Sequence, residues 1–407
     1  MSPIDVYARA RTSIKFCFFF IGVPVGTLVP RLAEIKLGLN AGAGIYGTAI
    51  AVGGIGALIG NFIGARVVHR FGSRAVVQGA FTFLITSNVC NALAPNLSWF
   101  ATVAFTSGLF YAMTNIGVNS QAVLVEQHIG RSFLPMGHAF WSIGTMSASI
   151  FSSLAAPYVS PLHALIFADT LCLIGFALAT KNLLPLHMDD RSIDDSTQLP
   201  RQEHIPRSAL RFLLTIAFAQ WLALIAEISV GDWSSVLLSE DFHISVGPNG
   251  YAFSSFMVMQ LTVRLLSPRF IDQFGLQVIA RTCGVIGGTG YIVALAAANV
   301  AHTTSNSAAL ILSCIAYGFM GLGVAPMPAA FVTAAGRIPG LPSARALMVT
   351  GAAVAVLNII GRMGFAFIAQ HTSLPISLGF MGAILIAAAM MTNVLHIDKA
   401  ERHAIQR

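Results

Sequence analysis

Twelve mostly apolar stretches follow one another along this chain, each about 18–25 residues long. They fall at residues 12–30, 41–65, 75–94, 98–124, 137–157 and 162–183, and then, after a polar interval, at 209–231, 248–270, 276–300, 306–332, 344–369 and 374–395. A helix of that length matches the hydrocarbon thickness of a bilayer, about 30 Å. A water-soluble fold could not hide so many: 56% of the 407 residues are hydrophobic and 10% are charged, against about 25% charged in ordinary soluble domains. Backbone groups inside lipid must bond within their own segment. The expected fold is therefore an all-α polytopic membrane protein with twelve transmembrane helices in two six-helix bundles. Residues 1–184 form the first, 185–208 a charged cytoplasmic linker, and 209–407 the second with a short cytoplasmic tail.

Basic residues orient the chain. With the N-terminus inside, Arg9, Arg11, Arg66, Arg70, Arg74, Arg131, Lys181, Arg269, Arg281, Arg337 and Arg345 all fall on the cytoplasmic side, and little beyond Arg31 and Lys36 falls outside. That asymmetry places both termini in the cytoplasm, in a cell (inner) membrane. The first run leads straight into further spans without a small-residue cleavage site, and reads as a retained helix. The five cysteines, Cys17, Cys90, Cys172, Cys283 and Cys314, are dispersed in apolar runs and read as packing residues, with neither disulfide nor metal pattern.

The glycines of "GGIGALIGNFIG", residues 53–64, could belong to a nucleotide-binding turn or to a helix–helix contact. A dinucleotide fingerprint needs a preceding strand and an acid about twenty residues on; here the glycines sit inside an apolar run and "HRFGSRAV" follows. Gly56, Gly60 and Gly64 instead make a small-xxx-small face for a neighbouring helix. The chain contains no GxxxxGK[ST], HExxH or GxSxG pattern, so neither an ATP-driven pump nor a hydrolase is encoded. No cofactor, metal or nucleic-acid partner is expected.

The turn after the second run, "ARVVHRFGSR" (65–74), has a counterpart after the eighth, "PRFIDQFG" (268–275). His69 and Asp272, Arg70 and Gln273, Phe71 and Phe274, Gly72 and Gly275 correspond, as in an internal repeat. At these residues the chain resembles the major facilitator superfamily, whose signature loop reads G-x-x-x-D-R-x-G-R-R. Ala65 and His69 depart from it: the usual gate acid is absent from the first half, so that gate is either lost or dependent on His69. The stretches "RLAEIKLGLN", "NSQAVLVEQHIGRSFLPMGHAFWSIG", "EISVGDWSSVLL" and "AAGRIPGLPSARAL" are similar to the branch that includes MosC and YbjJ-type membrane proteins. The resemblance implies two pseudo-symmetric bundles working by alternating access, with helices one, four, seven and ten lining a central cavity. It also implies a gating role for His69, Arg70, Gly72, Arg74, Asp272 and Gly275, and hints at rhizopine-like amino-inositols, cyclitols or sugars as cargo.

Ionisable groups inside a span are costly, and each is a functional candidate. Glu227 shares a helical face with Gln220, Leu224 and Gly231. Arg362 lies about 9 Å beyond its helix midpoint at ~1.5 Å per residue, at the depth of Glu227, and is its expected counter-ion, with Asn358 one turn before. Tyr111, Asn115 and Asn119, four apart, offer a phenol and amides to a hydroxylated ligand. Glu126, and His138 with Trp141 and Ser142, read as gate or interface elements. Asp232 and Trp233 read as the outer end of the seventh helix, Trp233 being an interfacial anchor; Asp169 receives no role. Together these features point to a monomeric transporter of a small polar solute, with protons as a candidate coupling ion and the lipid bilayer as surroundings. An exporter of a small amphiphilic compound, or a non-transporting sensor on the same fold, fits the same pattern.

Overall fold

The computed structural model describes residues 3–129, 133–188, 205–336, 338, 341 and 343–395; most of the linker, residues 189–204, and the tail beyond 395 lie outside them. Among the described residues there is no β-strand. The helices are α1 (Pro3–Leu28), α2 (Leu32–Gly38), α3 (Ala43–Phe71), α4 (Ser73–Ala92), α5 (Leu97–Ile129), α6 (Leu134–Ala155), α7 (Pro161–Ala179), α8 (Arg207–Val236), α9 (Tyr251–Phe274), α10 (Leu276–Ala301), α11 (Asn306–Val324), α12 (Met327–Ala335), α13 (Ser343–His371) and α14 (Leu374–Met390). The short α2 continues α1 through a 3-10 turn at Val29–Arg31, and α12 continues α11. This leaves twelve long rods, one for each apolar run. The run at 306–332 is broken because Pro326 and Pro328 cannot donate to the helical ladder. Eight of the rods are long and apolar enough to cross a bilayer on composition alone; α4, α5, α6 and α9 carry more Ser, Thr, Asn, Gln or Arg.

Two breaks share one geometry. Gly72 alone separates α3 from α4, and Gly275 alone separates α9 from α10. Their φ angles are 84° and 81°, with ψ near extended, a region that is essentially glycine-only. Each still closes the helix before it, donating its N–H to Val68 O at 2.7 Å and to Ile271 O at 2.9 Å. The sequence repeat is thus a repeat of backbone conformation.

The chain divides into two compact units: residues 1–197 with Ser245–Tyr251, and residues 198–244 with 252–407. In the first, α3 packs on α5 through glycines. A methyl group at Gly56 would sit on the Phe105 carbonyl oxygen, one at Gly60 on that of Leu109, and one at Gly108 on that of Gly53. Hydrocarbon gives helices no hydrophobic reason to associate, so close backbone approach supplies the contact. α1 meets α6 likewise: Gly144 abuts the Phe19 carbonyl, Thr145 Oγ1 donates to Gly22 O at 3.1 Å and Ser152 Oγ to Thr27 O at 2.7 Å. Buried Gln121 donates to Ser73 Oγ (2.6 Å) and Leu184 O (3.1 Å), and accepts from Leu184 N (2.8 Å), tying α4, α5 and the segment after α7 together.

Two residues left without a specific role by the sequence are structural. Asp169, 1% exposed, accepts from Asn88 Nδ2 at 2.7 Å, joining α7 to α4. Cys172 is more than a packing residue. Pro24, inside α1, has no N–H for the Phe20 carbonyl, and the Cys172 thiol donates to that oxygen at 3.2 Å. In the second unit, α10 packs on α11 at Gly287 and Gly323, and on α14 at Gly288 and Gly382.

Replacing Gly56 by Ala should lower stability by about 2 kcal/mol or more, since the added carbon meets backbone that cannot move aside. Gly79→Ala is the control, for its added carbon meets nothing within 4 Å; it should be neutral or stabilise slightly. Thermal unfolding in detergent compares the two, and equal losses would exclude the glycine seam as a stability element.

Candidate functional site

The second unit holds the densest group of intramembrane charges. α8 is buried over most of its surface, and Gln220, Leu224, Glu227 and Gly231 form part of its half-exposed stripe, the face expected from their spacing. Glu227 Oε1 accepts from Gln260 Nε2 at 2.7 Å and lies 3.7 Å from Arg264 Nη2, both on α9. Its second oxygen has no such partner among the described residues. Gln260 is fully buried, and its own Oε1 is also without a partner.

Arg362 takes a different partner from the one expected. Its Nη2 donates to Asp232 Oδ1 at 3.1 Å and its Nε lies 3.0 Å from Oδ2. The expected Glu227–Arg362 pair is corrected to two pairs, Glu227–Arg264 and Asp232–Arg362. The reason is rotational: five residues along a helix turn the side chain by about 140°, so Glu227 meets α9 while Asp232 meets α13. Nor does Asp232 end its helix, for α8 continues to Val236. Trp233 is not an interfacial anchor; it is 3% exposed and packs on Phe365 with centroids 5.2 Å apart.

Around these pairs lie polar atoms with no protein partner. Asn358 Oδ1, one turn before Arg362, is sealed and unbonded, as is Trp221 Nε1. Trp221 lies against Gly361, where a methyl group would approach its ring to 2.9 Å. Gln260, Arg264, Asp232 and Trp221 were missed as site residues in sequence. The signal was present: Gln260 and Arg264 stand four apart inside an apolar run, as Gln220 and Leu224 do. Chemically, the cluster offers one carboxylate oxygen open to a hydroxyl, an ammonium or a proton, with amide and indole groups to orient what arrives.

In the first unit, Tyr111, Asn115 and Asn119 are half-exposed along one face of α5. Asn115 Nδ2 donates back to Tyr111 O at 3.0 Å, and Asn119 Oδ1 is buried without a partner. Glu126 caps α6: its Oε2 accepts from the Phe133 and Leu134 N–H groups at 2.8 and 3.1 Å. His138 is exposed, 5.3 Å from the Phe18 ring, and Ser142 Oγ donates to its carbonyl at 3.1 Å. His69 and Arg70 are exposed at the end of α3, with the Arg70 guanidinium 5.3 Å from the centre of the Phe71 ring; Arg74 is half-buried. Asp272 is exposed and makes no ion pair among the described residues. No cluster able to hold a metal occurs among the described residues.

Comparison with known proteins places this architecture. An uncharacterised MFS-type transporter of Yersinia pestis is 25% identical over 389 residues, covering 93% of this chain and 94% of its own. An uncharacterised transporter of Sinorhizobium fredii is 23% identical over 381 residues, covering 93% and 96%. Among solved structures, a D-xylose–proton symporter superposes with a TM-score of 0.72 at 15% identity, over 96% of this chain and 97% of the other. The nucleoside transporter NupG gives 0.66 at 16%, over 98% of each. The sequence profile of the Major Facilitator Superfamily matches residues 14–361. The chain therefore belongs to the Major Facilitator Superfamily and is a multi-pass membrane transporter of small solutes, not an enzyme.

Proposed function

We propose that the protein carries a small polar solute, of the sugar, cyclitol or amino-inositol (rhizopine-like) class, across the inner membrane by alternating access, with both termini cytoplasmic. The observation that supports this most is the Glu227 carboxylate. One oxygen is fixed by Gln260 and Arg264, and the other is left open on the half-exposed stripe of α8. Asp169 also leaves one oxygen unbonded, but there it is sealed; the Glu227 side chain stays partly exposed, so its unmet oxygen is open to a hydroxyl, an ammonium or a proton. Glu227 is the solute-binding or proton-exchanging group of the second unit in this reading, with Gln220 and Asn358 as hydrogen-bonding partners, and the Tyr111–Asn115–Asn119 face is a hydrogen-bonding surface of the first unit. The pair Asp232–Arg362 holds α8 to α13.

Screening purified protein for thermal stabilisation by sugars, cyclitols and amino-inositols identifies the solute, and counterflow in proteoliposomes tests transport. Glu227→Gln should insert and fold, yet lose uptake driven by a proton gradient by roughly tenfold or more, with counterflow lost as well if the carboxylate binds the solute. Full gradient-driven uptake and full counterflow by that variant together reject the assignment. Solute-induced stabilisation without counterflow in the parent protein would favour the sensor reading.

Asp232→Asn or Arg362→Gln alone leaves a half-buried charge unpaired, and each should cost about 2 kcal/mol, below the loss for a fully buried pair. The double variant should recover most of that loss, because both charges go together. Additive losses measured by thermal unfolding would show that the two residues do not act as a pair.

The one-residue turns are the proposed gate hinges. Gly72→Val forces a β-branched residue into φ 84°, at about 1–3 kcal/mol of strain. The variant should reach the membrane but transport slowly. Normal counterflow would remove Gly72 from the gating mechanism.

A further inference from the structure

Lys15 stands apart from the other intramembrane charges. It is half-buried on α1, its ammonium 5.6 Å from the centre of the Phe140 ring, and it makes no ion pair among the described residues. The helices around α1 have no acid to spare for it. α6 contains none, Glu126 of α5 is spent on the α6 N–H groups, and Asp169 of α7 is held by Asn88.

Its level in the unit can be fixed. Tyr7 of α1 stacks on His128 of α5 with centroids 3.6 Å apart, and Ala10, Ile14, Cys17 and Phe18 share a core with Val118, Ala122 and Val125. α1 and α5 therefore run antiparallel with their numbering in step. Lys15 lies about 12 Å beyond Tyr7, and Asn119 about 13.5 Å beyond His128, at 1.5 Å per residue. The cation and Asn119, whose Oδ1 is sealed and unbonded, stand at one depth. Asn115 and Tyr111 continue the same face one and two turns further on.

We propose that Lys15 and Asn119 form an anion-binding subsite of the first unit, and that the solute is a small polyhydroxylated carboxylate. The carboxylate meets the Lys15 ammonium, which the Phe140 ring steadies. Neighbouring hydroxyls meet the amides of Asn119 and Asn115, each able to give and to accept. This rests on the reading of the chain as a polar-solute transporter and, within that reading, puts polyhydroxylated acids in place of sugars, cyclitols and amino-inositols as the cargo.

The test uses the full-length protein in nanodiscs, with quinate and D-gluconate as acidic probes and myo-inositol and D-xylose as neutral ones. At least one acid should raise the melting temperature saturably, and Lys15→Met should weaken that binding roughly tenfold or more while Lys15→Arg retains most of it. Asn119→Leu should weaken it as well. Lys15→Gln is the second variant should Lys15→Met fold poorly. If a neutral probe binds and no acid shows Lys15-dependent binding, the anion subsite is overturned and solute transport stands. If Lys15 matters only for stabilisation by phosphatidylglycerol nanodiscs over phosphatidylcholine ones, it is a lipid-headgroup contact and the proposal also fails. If no probe binds and counterflow is absent for the solute class altogether, both readings fail together.

Discussion

Water is missing where most of this chain lies, and that absence governs how its helices hold together. A helix satisfies its own backbone, but nothing in hydrocarbon pushes two apolar helices into contact. The bundle answers with proximity. Gly53, Gly56, Gly60 and Gly108 let α3 and α5 touch along their backbones, and Gly287, Gly288, Gly323 and Gly382 do so in the second unit. Hydroxyl side chains reach carbonyls of neighbouring helices, as Thr145 and Ser152 do, and the Gln121 amide reaches the segment after α7 at Leu184. These contacts are directional, so they define how each helix is rotated, and rotation decides which side chains line an open face.

The same dryness governs the charges. Asp232 and Arg362 neutralise each other, and Glu227 leans on Arg264 and Gln260. Compensation is incomplete at several atoms, some sealed in the core, as at Asp169 and Gln260, and some on half-exposed residues, as at one Glu227 oxygen, Asn358, Asn119 and Trp221. Incompleteness of the second kind is tolerated when something outside the protein completes it.

Much of this was legible in the residues because the signals were periodic. Twelve apolar runs became twelve rods, and the repeated turn became the matching Gly72 and Gly275 conformations. The stripe Gln220–Leu224–Glu227–Gly231 was readable because helical spacing fixes which residues share a face. Partners were harder to read. Depth along a helix follows from counting, which put Glu227 and Arg362 level, but the rotation of α8 against α9 and α13 depends on packing that no single segment encodes. Asp232, five residues on and about 140° around, took the arginine instead. Trp233 was misplaced for a related reason: a Trp near a span's end suits an anchor equally well, until Phe365 on another helix claims it.

The bond from Cys172 to the Phe20 carbonyl bears on how this protein can be labelled. Site-directed spectroscopy begins from a version stripped of native thiols, and alanine or valine is a common replacement. At position 172 either would leave the carbonyl opposite Pro24 with no donor, in the middle of a helix that the first unit is built around. Serine keeps a donor there, at the expense of a shorter reach than sulfur. A probe-ready background is thus better made with serine at this position, whereas Cys17, for which no comparable bond is seen among the described residues, can be replaced by an apolar residue of similar size.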